Sequence, residues 1–139
     1  MPPAVFSVTV MAPEQSVFQG RARSLVAPGK DGYFGILAHH ASMVAELGVG
    51  KLSITDESGT VHLYAVSGGF LETANNEVTI LADCCEAAPE IDVSRAEAAQ
   101  QRAKERLTAR AEDSDLARAQ AALQRALNRI RVAGDHREK

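Results

Sequence analysis

Four arginines in the last third of the chain are the residues best suited to chemistry. Arg95 and Arg102 stand seven residues apart, Arg125 and Arg129 four apart. On a helix both spacings return the side chain to one face. With a turn centred at Glu112, Arg95 lies 17 residues before it and Arg129 lies 17 after. In an antiparallel hairpin the two then stand at one height. Arg102 lies 10 before and Arg125 lies 13 after, an offset of about 4.5 Å along the axis. If the faces coincide, four guanidinium groups converge within about 10 Å of axis. Such a cluster repels itself unless an anion or carboxylates neutralise it, and the planar guanidinium fork suits phosphate. The alternative is an ordinary solvated face with local partners, such as Gln101–Glu105 beside Arg102–Arg106.

Other chemistry-bearing residues are less persuasive. Neighbours on a strand point to opposite faces, so His39 and His40 do not share one ion, and neither do Cys84 and Cys85. Without a CxxC or HxxxH spacing, no metal site is expected. The pair Gly50-Lys51 is followed by Leu52, and Ala45 stands where a P-loop needs its first glycine. Ala65-Val66-Ser67-Gly68-Gly69 approaches a nucleophile elbow. It lacks the following helix and the His of a triad, so Ser67 is read as a turn residue between paired strands. An independent enzyme is therefore disfavoured.

The elements that must carry the arginines follow from a shift in composition. Residues 1–90 hold four basic and ten acidic side chains, whereas 91–139 hold eleven basic and eight acidic. Nine of the ten glycines and all five prolines precede Ile91. Short strand signals at Val5–Val10, Ala22–Ala27, Gly50–Thr55, Thr60–Val66 and Glu77–Leu81 favour an all-β sandwich or flattened barrel. A turn is expected at Gln19-Gly20, and hairpin loops at Asp56-Glu57-Ser58-Gly59 and Ala74-Asn75-Asn76. Beyond Ile91 the apolar positions Ala96, Ala99, Ala103 and Leu107, then Leu116, Ala119, Leu123, Leu127 and Ile130, follow a helical period. Asp92 is a natural N-cap for the first helix, Asp113 or Ser114 for the second, and Gly134 a plausible stop. The fold class is two-domain α+β: an N-terminal all-β domain over 1–87, then an antiparallel two-helix hairpin over 88–139. An alanine seam contributes little apolar area. Such a hairpin is marginal by itself and suits a conformational switch.

Composition bounds the rest. A chain of 139 residues with net charge −3 is too short for a large multidomain enzyme and lacks the basic balance of a nucleic-acid binder. No apolar run approaches the roughly 20 residues of a bilayer span. Met1-Pro2-Pro3 opens no secretory signal, and two adjacent cysteines, each expected to be buried and free, fit a reducing compartment. A soluble cytoplasmic protein is expected.

The ordered segments Gly32-Tyr33-Phe34-Gly35-Ile36-Leu37-Ala38-His39-His40-Ala41, Val66-Ser67-Gly68-Gly69-Phe70-Leu71-Glu72 and Val78-Thr79-Ile80-Leu81-Ala82-Asp83, followed by the hairpin, resemble the epsilon subunits of F-type ATP synthases. The resemblance covers practically the whole chain. It implies a non-catalytic central-stalk subunit that couples the catalytic head to the c-ring during ATP synthesis by ion transport. The β domain would dock on the gamma subunit and the c-ring, with Gly35, Ile36, Leu37 and His40 in the rotor-docking loop. That loop departs from the family's common Pro-x-His-Ala-Pro, having Ala38 and Ser42 instead, and loses rigidity. The hairpin would inhibit ATP hydrolysis when extended towards the catalytic beta subunits.

Some bacterial members bind ATP in the contracted hairpin through Ile-Asp-x-x-Arg-Ala. This chain has Ile91-Asp92-Val93-Ser94-Arg95-Ala96. The resemblance implies that Glu86 and the Ile91-Asp92 backbone meet adenine, while Arg95, Arg102, Arg125 and Arg129 meet phosphates. No cofactor is required; ATP would be a regulatory ligand. The expected location is peripheral, on the cytoplasmic side of the bacterial inner membrane, without direct insertion and without nucleic acid. An adaptor with no nucleotide binding is the alternative.

Overall fold

The computed structural model describes residues 3–13, 15–109 and 113–137. It divides into two compact units, Met1–Ala87 and Ala88–Lys139. The first is a closed β-barrel and the second holds two helices, as the fold class requires.

Six strands build the barrel: β1 (Phe6–Ala12), β2 (Gln15–Gly29), β3 (Gly32–Leu37), β4 (Met43–Asp56), β5 (Val61–Ala74) and β6 (Glu77–Ala87). Their order is β1-β6-β5-β4-β2-β3, and an added β1–β2 pairing closes the sheet on itself. β1 runs parallel to β6; every other pairing is antiparallel. Closure removes free edges along most of the sheet. Alternate residues point inward, and Val8, Val10, Leu25, Ile36, Leu52, Ile54, Val66, Leu71 and Ile80 fill the interior at 1% exposure or less. These β-branched and leucine side chains fit a pleated, enclosed surface.

Several strands are longer than their sequence signals. Gln19-Gly20 is not a turn but lies within β2, paired with Thr9 and Val8 of β1. Gly32–Leu37 forms β3. Ser67 is likewise no turn residue: β5 runs through it, with Ser67 opposite Val49 and Cys84. The glycines after it resemble turn punctuation. Gly68 and Gly69 have φ of 76° and 122°, and a Cβ at Gly69 would collide with the Leu81 carbonyl of β6. They bend a continuous strand and let its neighbour come close. The two hairpin loops are where turn chemistry puts them. Asn75 and Asn76 adopt φ of 53° and 62°, the left-handed pair of a two-residue turn, between the paired ends Ala74 and Glu77.

The second unit opens with a 3-10 turn, Ala88–Glu90, followed by α1 (Val93–Thr108) and α2 (Asp113–Arg137). Asp92 caps α1, its carboxylate accepting from the Arg95 N–H at 3.0 Å. A cap at Asp113 or Ser114, and the turn centre at Glu112, fall on side chains or residues outside those described. Gly134 does not stop α2, which continues to Arg137. One glycine costs a helix only about 1 kcal/mol, and buried Val132 and Ala133 hold the turn around it. The two helices pack on each other. With so short a connection, α2 must run back along α1.

Candidate functional site

The seam between the helices fixes where the arginines go. On α1 a stripe of buried and half-buried residues runs through Val93, Ala96, Gln100, Ala103 and Leu107, with Ala99 half-buried beside it. On α2 a matching stripe runs through Leu116, Ala119, Leu123, Ala126, Ile130 and Ala133. Alternating steps of three and four residues make a 3.5-residue repeat. On α1 Ala99 is half-buried as its spacing requires, and Gln100 beside it is half-buried as well. The repeat corrects one seam position. Ala126 takes the place expected of Leu127, which is 38% exposed. Reading by size chooses the leucine, whereas the repeat carries the alanine inward.

Arg95 and Arg102 stand one residue before Ala96 and Ala103. Arg125 and Arg129 stand one residue before Ala126 and Ile130. Each is thus turned about 100° from its seam in the same rotational sense. Two antiparallel helices are related by a two-fold axis perpendicular to their common plane, so equal offsets fall on one side of the pair. The hairpin therefore carries all four arginines on one side. Arg95 and Arg102 are exposed, and Arg125 and Arg129 half-buried. Ile91 is buried, its N–H donating to the Ala88 carbonyl at 3.2 Å. Ala96 is buried in the seam and Asp92 is exposed at the cap. Glu86 belongs to the other unit, half-buried near the end of β6 and opposite Ala65.

The barrel residues singled out by sequence divide by exposure. Gly35 and Ile36 pair with Val26 and Leu25 in β2. Ile36 is 1% exposed, so it anchors the loop without offering contact surface. Leu37, at 66%, and Val44, at 68%, are the most exposed large apolar side chains among the described residues. They flank the 38–42 segment. Within it the His40 ring nitrogen Nδ1 bonds the Ala41 carbonyl at 2.7 Å. His39 adopts a left-handed backbone, φ 64°.

Two polar arrangements lacked a motif signal. Asn76 accepts from the His39 N–H at 2.7 Å and donates to the Val5 carbonyl at 2.9 Å. The Asn-Asn dipeptide announces a turn but not its cross-loop partner. At the other hairpin, the Asp56 carboxylate accepts from the Ser58 N–H and hydroxyl, the Thr60 N–H and the His62 ring. The Ser58 hydroxyl first, then His62, hold this carboxyl well below the usual range. The serine bonds the carboxylate and not the imidazole, so no Ser-His relay exists here. Cys85 is buried and Cys84 exposed. Burial, then the neighbouring Cys84 and Glu86, push the Cys85 thiol up to about 12. Among the described residues no cluster of three His, Cys, Asp or Glu is placed to hold a metal. No helix among them is long and apolar enough to cross a membrane.

Residues 5–88 match the family model of the ATP synthase delta/epsilon chain beta-sandwich domain. Residues 90–134 match that of the delta/epsilon chain long alpha-helix domain. An ATP synthase epsilon chain of Desulforamulus reducens is 45% identical over 75% of this chain and 78% of its own length. Another, from Syntrophomonas wolfei, is 41% identical over 81% of this chain and 82% of its own. In fold, the chain is similar to a chain of the Euglena gracilis mitochondrial ATP synthase OSCP/F1/c-ring structure. The TM-score there is 0.78 at 24% identity, over 88% of this chain and 77% of that one. It is also similar in fold to a chain of the Tetrahymena thermophila mitochondrial ATP synthase central stalk and c-ring, with TM-score 0.62 at 14% identity, over 96% and 99%.

Proposed function

Because the chain belongs to the epsilon chains of ATP synthase, matched over both its domains, we propose that it is a non-catalytic rotor subunit of the central stalk. The barrel docks on the gamma subunit and the c-ring and turns with them, coupling the catalytic head to ion flow. The hairpin is the regulatory part. Contracted, it leaves the catalytic beta subunits alone; extended, it reaches them and impedes ATP hydrolysis. Its eleven cationic side chains against eight acidic over 91–139 suit an acidic partner surface. The working position is peripheral, on the cytoplasmic side of the bacterial inner membrane.

ATP is the regulatory ligand of the contracted hairpin in this reading. The observation that carries it is the placing of Arg95, Arg102, Arg125 and Arg129 on one side of the helix pair. A triphosphate neutralises mutual repulsion there and forms charge-assisted hydrogen bonds. The Ile91-Asp92 backbone stands on the adenine side in this reading. A ligand that binds one conformation better must shift the population towards it, so ATP favours contraction and relieves inhibition. Calorimetry on the isolated chain tests this. Binding should be seen at millimolar ATP or below, and should weaken at least about tenfold in Arg125→Ala and in Arg129→Ala, the loss of a charged hydrogen-bonding partner. No heat at millimolar ATP contradicts the ligand reading and leaves the stalk role standing.

A further inference from the structure

The 38–42 segment joins β3 to β4 and carries a conformational problem. His39 is a residue with a Cβ held at φ 64°, a region that L side chains disfavour. The segment contains no proline to stiffen it, and it stands between Leu37 and Val44, whose exposed apolar side chains gain from a fixed presentation. Something outside the loop must hold it.

We propose that Asn76 is the positioning residue that locks this loop for docking. Its side chain makes two directed bonds to segments distant in sequence. The carbonyl oxygen Oδ1 accepts from the His39 N–H at 2.7 Å, and Nδ2 donates to the Val5 carbonyl at 2.9 Å. Both ends of the amide are used, so its orientation is fixed: a flipped amide would set donor against donor and acceptor against acceptor. The backbone of the same residue adds a third tie, its carbonyl accepting from the Ser7 N–H at 3.2 Å. Asn76 itself sits at φ 62°, where asparagine is tolerated better than other side-chain-bearing residues. One residue of the β5–β6 turn therefore ties the start of β1, the β3–β4 loop and its own hairpin together at one end of the barrel. The left-handed His39 is the conformation that presents its N–H to this clamp. This assignment rests on the reading of the 38–42 loop as the rotor contact.

Asn76→Gly is the discriminating variant. Glycine accepts φ 62° without strain and keeps the backbone bond to Ser7, so the turn survives while both side-chain bonds are lost. Hydrogen exchange followed by NMR on the full chain should show the His39 amide opening about five- to tenfold faster, the loss of one hydrogen bond. Core amides such as Leu52 should be unchanged. Affinity for the gamma–c-ring assembly should fall several-fold. Asn76→Asp, which keeps an acceptor facing His39, should recover His39 protection. Unchanged exchange at His39, or faster exchange spread evenly over the barrel, would overturn the clamp. Faster His39 exchange with undiminished rotor affinity would instead overturn the loop as the docking surface, and with it the positioning role.

Discussion

Cys84 and Cys85 are chain neighbours in opposite surroundings, because adjacent residues on β6 face opposite sides of the sheet. Residue type alone suggests that both are buried; the strand's register exposes one of them. Only a thiolate is a nucleophile, and burial pushes the Cys85 thiol from 9.0 up to about 12. Iodoacetamide at neutral pH should therefore modify Cys84 alone, as peptide mass spectrometry would show; equal labelling contradicts the assigned burial. The same shift has a stability sign. Native Cys85 keeps its proton where the unfolded thiol has lost it, so its contribution is whole below pH 9.0 and declines as pH rises towards 12. Asp56 acts in the opposite direction. Its native carboxyl lies below the ordinary 3.8, so its contribution is present above that value and declines as pH falls through the depressed one. Its carboxyl carbon should still report an ionised group at about pH 3, where an ordinary aspartate is mostly protonated. At this scale sequence legibility is uneven. Asp92 is legible as a cap because capping is local chemistry. Asn76 and Asp56 are legible only as turn residues, since their partners lie across a loop or a strand that no spacing announces.

Among the elements, the hairpin is the most readable in type and the least in detail. Alanine-rich periodicity gives two helices, yet size is a poor guide to an alanine seam, so sequence puts Leu127 where the 3.5-residue repeat puts Ala126. The end of α2 is misplaced because glycine is both a stop signal and a tolerable interior residue. A Cβ at Gly134 meets nothing within 4 Å. Gly134→Ala should therefore stabilise the hairpin by up to about 1 kcal/mol, seen as a higher melting temperature; destabilisation would mean the helix does not continue there. Removing the cap by Asp92→Ala should cost about 1 kcal/mol and loosen the first turn of α1, which also carries Arg95. In the barrel, strand existence is plain from β-branched runs. Strand length is not, because Gly68 and Gly69 inside β5 look like punctuation. Leu52, fully buried, should cost about 2–5 kcal/mol on replacement by alanine, measured by denaturant unfolding.

The whole molecule joins an acidic barrel to a basic hairpin, a contrast plain from composition alone. The ordered segments of the barrel carry the family resemblance, and the family models match both domains. What composition does not supply is the side on which the arginines gather, which follows only once both seams are known. The central claim is that this side makes the hairpin a ligand-sensitive brake on hydrolysis. Its most direct measurement is the ATP hydrolysis rate of the assembled synthase, with this chain complete and with it truncated after Glu90, across a range of ATP concentrations. Hydrolysis should be faster without the hairpin, by the widest margin at low ATP and a shrinking one as ATP fills the contracted state. Equal rates at every ATP concentration would contradict the claim.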